Sequence, residues 1–74
     1  MKHYYERMRD LREDHDLKQS QLAEILNLTN QQSYQRYESG RVQMPIHLLI
    51  KLAQYYKVSL DYLCGLTDNK EKFW

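Results

Sequence analysis

The chain is short of the residues that break helices, cross-link domains or cross membranes. Among its 74 residues are one cysteine, one proline and two glycines. A lone Cys64 cannot form an intrachain disulfide, and a secreted domain of this size would need several, so the cytoplasm is the expected compartment. The longest apolar run, Leu48-Leu49-Ile50, is far below the ~18 to 20 residues of a membrane span. Met1-Lys2-His3-Tyr4-Tyr5 opens no signal-peptide core, so no membrane association is expected.

Metal and catalytic patterns are missing too. His3, His15 and His47 have no ligand spacing with one another or with Cys64. Ser33 belongs to no nucleophile motif, and neither glycine lies in a phosphate-binding loop. The expectation is a protein that is not an enzyme and needs no metal, small-molecule ligand or cofactor. Charge of one sign is also lacking: eleven basic residues face ten acidic ones, for a net charge of +1 and a pI near 7.9. Residues 1–20 hold five of each sign and residues 21–44 two of each. A domain that gripped nucleic acid by bulk charge would have a pI above about 9. Any such role must rest on a few well-placed cations.

What is present suits one small folded domain. The apolar fraction is 42%, the charged fraction 28%, and seven residues are tyrosine. A chain this short buries only about 60% of its unfolded surface, leaving little room for a deep pocket. With few loop formers, the apolar spacing is helical throughout, and the class expected is all-α. Tyr4, Met8 and Leu11 recur at i, i+4 and i+7, predicting a helix over Tyr4 to Asp14 closed by His15-Asp16. Leu22, Ile25 and Leu26 form the inner face of a second helix, which begins near Lys18-Gln19 and ends at Asn27. Small Ala23 there leaves room for a neighbouring helix. Thr29 or Asn30 offers a capping oxygen to a third, two-turn helix with Tyr34 and Tyr37 inward, stopped at Ser39-Gly40. Pro45 suits the first turn of a fourth helix, whose inward positions are Ile46, Leu49, Ile50, Ala53 and Tyr56. Val58-Ser59 is a turn and cap, Leu60 and Leu63 face inward from a short fifth helix, and Gly65 ends it. Residues 1–67 form the domain and 68–74 a C-terminal tail.

The stretch NLTNQQSYQ, from Asn27 to Gln35, holds nine residues without a charge. With Tyr34 and Tyr37 in the core, Gln31, Gln32, Gln35 and Arg36 fall on or beside the opposite face. Such a surface carries paired donors and acceptors with no net repulsion toward an anion.

Three segments in order, LREDHDLKQSQLAEIL, QQSYQRYESG and LLIKLAQYYKVSLDYLCG, resemble the phage repressor and Cro-like (Cro/C1, xenobiotic-response-element type) family of helix-turn-helix transcriptional regulators. The resemblance covers about residues 4–66. Its most specific pieces are Leu17-Lys18-Gln19 with Leu22-Ala23, Arg36-Tyr37-Glu38 before Gly40, and Val58-Ser59-Leu60-Asp61. It implies a five-helix lambda-repressor-like DNA-binding domain whose third helix enters the major groove while the second crosses the backbone.

On that implication NLTNQQSYQ is the turn and the start of the recognition helix. Gln31 and Gln32 are the foremost base readers, since glutamine can bond adenine N6 and N7 together. Asn30, Gln35 and Arg36 are further candidates. Lys18, Gln19 and Arg41 match positions that meet phosphate, Ser33 with Gln35 and Arg36 can reach bases or phosphates, and Arg12 and Glu38 match a pair bridging the first and third helices. The partner implied is a double-stranded operator, bound to repress transcription, with three or four phosphates neutralised. Between Ala23 and Tyr34 the chain has one residue more than the family spacing. Either the turn is longer, with Leu28 buried and Thr29 extra, or the reading helix starts a turn earlier, at Thr29.

A second apolar stripe on the fourth helix, Leu48, Leu52 and Tyr55, joins Tyr62, Leu66, Phe73 and Trp74. It is expected to be mostly core, with enough left exposed to favour a homodimer. The rival expectation is a protein-interaction module of the same fold, of antitoxin or anti-repressor type, that binds a protein through the fourth and fifth helices.

Overall fold

Five helices form in chain order: α1 Tyr4–Asp14, α2 Gln19–Ile25, α3 Gln31–Glu38, α4 Ile46–Tyr56 and α5 Leu60–Leu63. The structure is a computed structural model that describes residues 3–70, and none of those residues is in a strand. Phe73 and Trp74, expected to add apolar surface, lie outside the described residues.

With only two glycines available, the chain still closes every helix in the same way. Asp16, Asn27, Gly40, Lys57 and Gly65, one after each helix, have φ between 54° and 82°. In each case the next amide reaches back five residues to a carbonyl of the last turn. These bonds are Leu17 N–H to Arg12 O, Leu28 to Ala23, Arg41 to Arg36, Val58 to Ala53 and Leu66 to Asp61. This left-handed closure satisfies carbonyls that a helix end would otherwise leave unpaired. Asp and Asn tolerate the left-handed region better than other non-glycine residues, which is why two glycines suffice. Lys57 has no such tolerance.

Helix starts are set by side chains. The Asn30 carboxamide oxygen accepts from Ser33 N–H at 3.0 Å, and the Ser59 hydroxyl accepts from Tyr62 N–H at 3.0 Å. Gln21 Oε1 accepts from Lys18 N–H at 2.7 Å, tying down the first turn of α2.

α2 packs on α3, α1 packs on both α3 and α5, and α4 packs on α5. Met8, Leu11, Leu22, Leu26, Tyr34, Leu52 and Leu63 make the centre of the core. In α4 three of the five positions expected inward, Leu49, Ala53 and Tyr56, are buried, and the buried face is rotated away from Ile46 and Ile50. Leu48, Leu49, Leu52, Ala53 and Tyr56 are buried, whereas Ile46 and Ile50 are 58% and 41% exposed. Both stripes have helical spacing, and α4 docks between them, burying Leu48 and Leu52 of the second with Leu49, Ala53 and Tyr56 of the first and leaving Tyr55 44% exposed. Tyr37, Ile25 and Leu60, also expected inward, are half-buried at the rim of the core.

α1 also grips the connector that follows α3. The Tyr4 hydroxyl accepts from Met44 N–H at 2.9 Å. The Tyr5 ring lies so close over Gly40 that a Cβ there would come within 3.0 Å of it. At the other end Arg7, buried and unassigned by the sequence reading, sets its guanidinium 4.2 Å from the centre of the Tyr62 ring. It also pairs with Asp68 at 2.6 Å. Beyond Asp68 the chain returns to the start of α5, where Ser59 N–H donates to Lys70 O at 3.0 Å.

These closures predict opposite outcomes for two substitutions followed by urea denaturation. Lys57→Gly should raise stability by about 0.5 to 1 kcal/mol by relieving the left-handed backbone. Gly40→Ala should lower it by about 2 kcal/mol, because the added methyl meets both a positive φ and the Tyr5 ring.

Candidate nucleic-acid interface

The turn between α2 and α3 absorbs the additional residue. α3 begins at Gln31 with Asn30 as its cap, so it does not start a turn earlier. Leu28 tucks against the core while Thr29 stays exposed in the turn. Both polar groups of Ser33 turn toward the cap, since its hydroxyl also lies 3.2 Å from Asn30 Oδ1.

Along α3, residues advance about 100° each. Tyr34 is fully buried and Glu38 nearly so, which leaves Gln31, Gln32, Gln35 and Arg36 exposed on the outer side. Two open depressions flank the ridge formed by Gln35 and Ser39. One is lined by Gln32, Gln35, Arg36, Ser39 and Arg41. The other is lined by Arg9, Arg12, Gln19, Gln35, Glu38 and Ser39. The structure thus brings Gln32, Gln35, Arg36 and Arg41 together. It leaves Lys18 exposed at the start of α2, lining neither depression. Arg9 and Ser39 were not expected here. The spacing of Arg9 to Arg12 at i, i+3 on α1 is the signal that links Arg9 to this side.

Beneath the ridge, Arg12 and Glu38 meet in a two-pronged pair, Nε to Oε2 at 2.9 Å and Nη2 to Oε1 at 3.0 Å. Arg12 Nη1 donates to Leu17 O at 3.0 Å, and Gln19 Nε2 donates to Glu38 Oε1 at 3.3 Å. One carboxylate therefore joins α1, the turn after it, α2 and α3. Its side chain is 4% exposed and that of Arg12 is 16%. Each charge is costly to bury alone, and the parallel bonds offset that cost only while both partners are present.

Two tyrosines share this region. The Tyr34 hydroxyl lies near the Glu38 carboxylate without reaching good hydrogen-bond geometry, and the Tyr56 hydroxyl is likewise buried. Burial pushes both phenols well above the usual tyrosine range, with the Glu38 charge adding to the effect. Burial also raises the Cys64 thiol, which makes it a poorer nucleophile at neutral pH. No group of three or more metal-ligating side chains occurs among the described residues, and none of their helices is long and apolar enough to cross a membrane.

A short helix held across a second one by a tight turn defines the helix-turn-helix class. The chain belongs to the helix-turn-helix family of transcriptional regulators, whose sequence model matches residues 8–63. It is 41% identical over 68 residues to an uncharacterized HTH-type transcriptional regulator, YobD, of Bacillus subtilis strain 168. That match takes in 92% of this chain and 60% of the relative. Its fold is similar to the crystal structure of a transcriptional regulator from Listeria innocua, with a TM-score of 0.80 and 34% identity. The likeness covers 96% of this chain and 63% of that one, so the chain spans about three-fifths of the length of both proteins.

Glu38→Ala should cost about 3 kcal/mol in urea denaturation by stranding the Arg12 charge, while Arg12→Leu with Glu38→Leu should recover most of the loss. Alkali gives a second readout. Tyr34 and Tyr56 hold their protons more tightly folded than unfolded, so their contribution is full below about pH 10 and declines as pH rises past it. The decline should approach about 1.4 kcal/mol per pH unit for each tyrosine. Tyr34→Phe and Tyr56→Phe should each remove one share of that slope.

Proposed function

We propose that residues 1–67 form a sequence-specific reader of double-stranded DNA that acts in the cytoplasm, most simply as a repressor that occludes a promoter. The observation that carries this reading is the exposed, amide-rich face of α3, held from behind by the Arg12–Glu38 pair. Gln31 and Gln32, at the first turn of α3, are the principal base readers, because a glutamine amide matches the paired donor and acceptor of adenine. Gln35 and Arg36 extend the reading surface along the same helix. Asn30 has its oxygen committed to the cap and only its amide nitrogen left for a base edge.

Phosphate contacts supply affinity and orientation. Lys18 and Arg41 are exposed cations at the two margins, and Gln19 retains one amide hydrogen beyond its bond to Glu38. Ser33 can serve a phosphate only by turning its hydroxyl away from Asn30. With so few cations, three or four phosphates are neutralised, and the salt dependence is shallower than that of a protein contacting six or more.

The functional unit is a homodimer that reads two half-sites about one helical turn apart. Ile50, Ala53, Gln54 and Leu60 line an apolar groove between α4 and α5, with exposed Ile46 and Leu66 adding to the apolar surface. The same groove and the near-zero net charge favour the rival reading, a module that binds a protein partner through α4 and α5.

Selection of bound duplexes from a random pool tests the proposal. Recovery of a palindromic sequence supports it, and no DNA binding at ~50 mM salt turns the reading to the protein-binding module. Gln31→Ala with Gln32→Ala should cost about 1 to 3 kcal/mol of discrimination for each glutamine, measured as the affinity ratio of selected to mixed DNA. Lys18→Ala should weaken both about equally.

A further inference from the structure

We infer that Arg9, on α1, holds a DNA backbone phosphate beside the C-terminal half of α3, on the flank opposite Arg36 and Arg41. This inference rests on the DNA-reading proposal and deepens it by adding a grip on the second side of the reading helix.

Two depressions share the Gln35–Ser39 ridge. The outer one has two cations, Arg36 and Arg41, at its walls. The inner one also has two, Arg9 and Arg12, but only one of them is available. Arg12 spends its Nε and Nη2 on Glu38 and its Nη1 on the Leu17 carbonyl, so its charge is neutralised within the fold. Arg9 is exposed, and among the described residues it has no ion pair.

The only carboxylate that lines this depression is Glu38, and it is covered and matched by Arg12. An anion arriving there meets the free Arg9 guanidinium with no unneutralised carboxylate in the lining. The Gln35 amide and the second amide hydrogen of Gln19, which line the same depression, can donate to its remaining oxygens, whereas the Ser39 hydroxyl is given to Arg36 O at 3.2 Å. A helix lying in the major groove has a phosphate strand on each side, and contacts on both flanks limit its freedom to roll. Arg9 adds a guanidinium to the flank opposite Arg36 and Arg41, beside Gln19. It also accounts for how a chain with net charge near zero can set a reading helix between two strands.

The test is fluorescence anisotropy of a labelled mixed-sequence duplex between ~50 and ~200 mM salt, for the wild type, Arg9→Ala and Arg9→Lys. Arg9→Ala should flatten the plot of log affinity against log salt by about 0.9. Its affinity deficit against the wild type should then shrink about 3.5-fold across that range. Arg9→Lys, which keeps the charge, should restore the wild-type slope. Far-UV circular dichroism checks that both exposed-site variants fold. An Arg9→Ala slope equal to that of a DNA-binding wild type overturns the role of Arg9 and leaves the DNA-reading proposal standing. A wild type that binds no duplex overturns both.

Discussion

Glu38 is a carboxylate buried on the inner side of α3, the proposed reading helix, and it would be untenable there without Arg12. Its two oxygens take two guanidinium bonds and one amide from Gln19, which ties α3 to α1 and α2 at one place. The pair is weak evidence for stability, since burying two charges costs nearly what their attraction returns. Its consequence is orientation. A two-pronged bond allows little rotation, so the azimuth of α3, and with it the direction in which Gln31, Gln32 and Gln35 point, is set from behind. Further along, Tyr5 over Gly40 and Tyr4 on Met44 hold the end of the same helix and its connector. α1 thus positions α3 at two points.

Rigidity in so small a fold also comes from how the helices end. Five left-handed closures, three of them at residues other than glycine, let the chain reverse five times within the described residues. The turn before α3 is the one that matters most for function. Asn27 closes α2, Leu28 anchors the turn on the core, and Asn30 caps α3, which leaves Thr29 as the residue with neither task. Lengthening the turn there keeps the phase of α3 relative to Tyr34, so the amides remain outward.

Much of this was legible beforehand because it is local. Helix α1 was expected over the residues it occupies, since Tyr4, Met8 and Leu11 repeat at helical spacing. Asp16, Asn27, Gly40 and Gly65 end helices by their own backbone preferences. The pairing of Arg12 with Glu38 followed from the family resemblance, as no local pattern joins residues 26 apart in sequence. Arg7 was missed although it sits at i+3 from Tyr4 and i+4 before Leu11, on the core face. A charge in an apolar stripe signals a buried partner, and that partner, Asp68, lies 61 residues away.

The sequence by itself determined the five helices, most of their ends and the amide-rich outer face of α3, because periodicity, capping and left-handed tolerance act within a few residues. Tertiary structure alone decided how α4 is turned against the core, burying Leu48 and Leu52 with Leu49, Ala53 and Tyr56 and leaving Ile46 and Ile50 exposed. It also decided which arginines are consumed by the fold and which remain open. Arg7, Arg9 and Arg12 lie within six positions of one helix, yet one is buried on Tyr62, one is free and one is neutralised by Glu38. The difference arises from the neighbours that distant segments bring, and no local pattern encodes it.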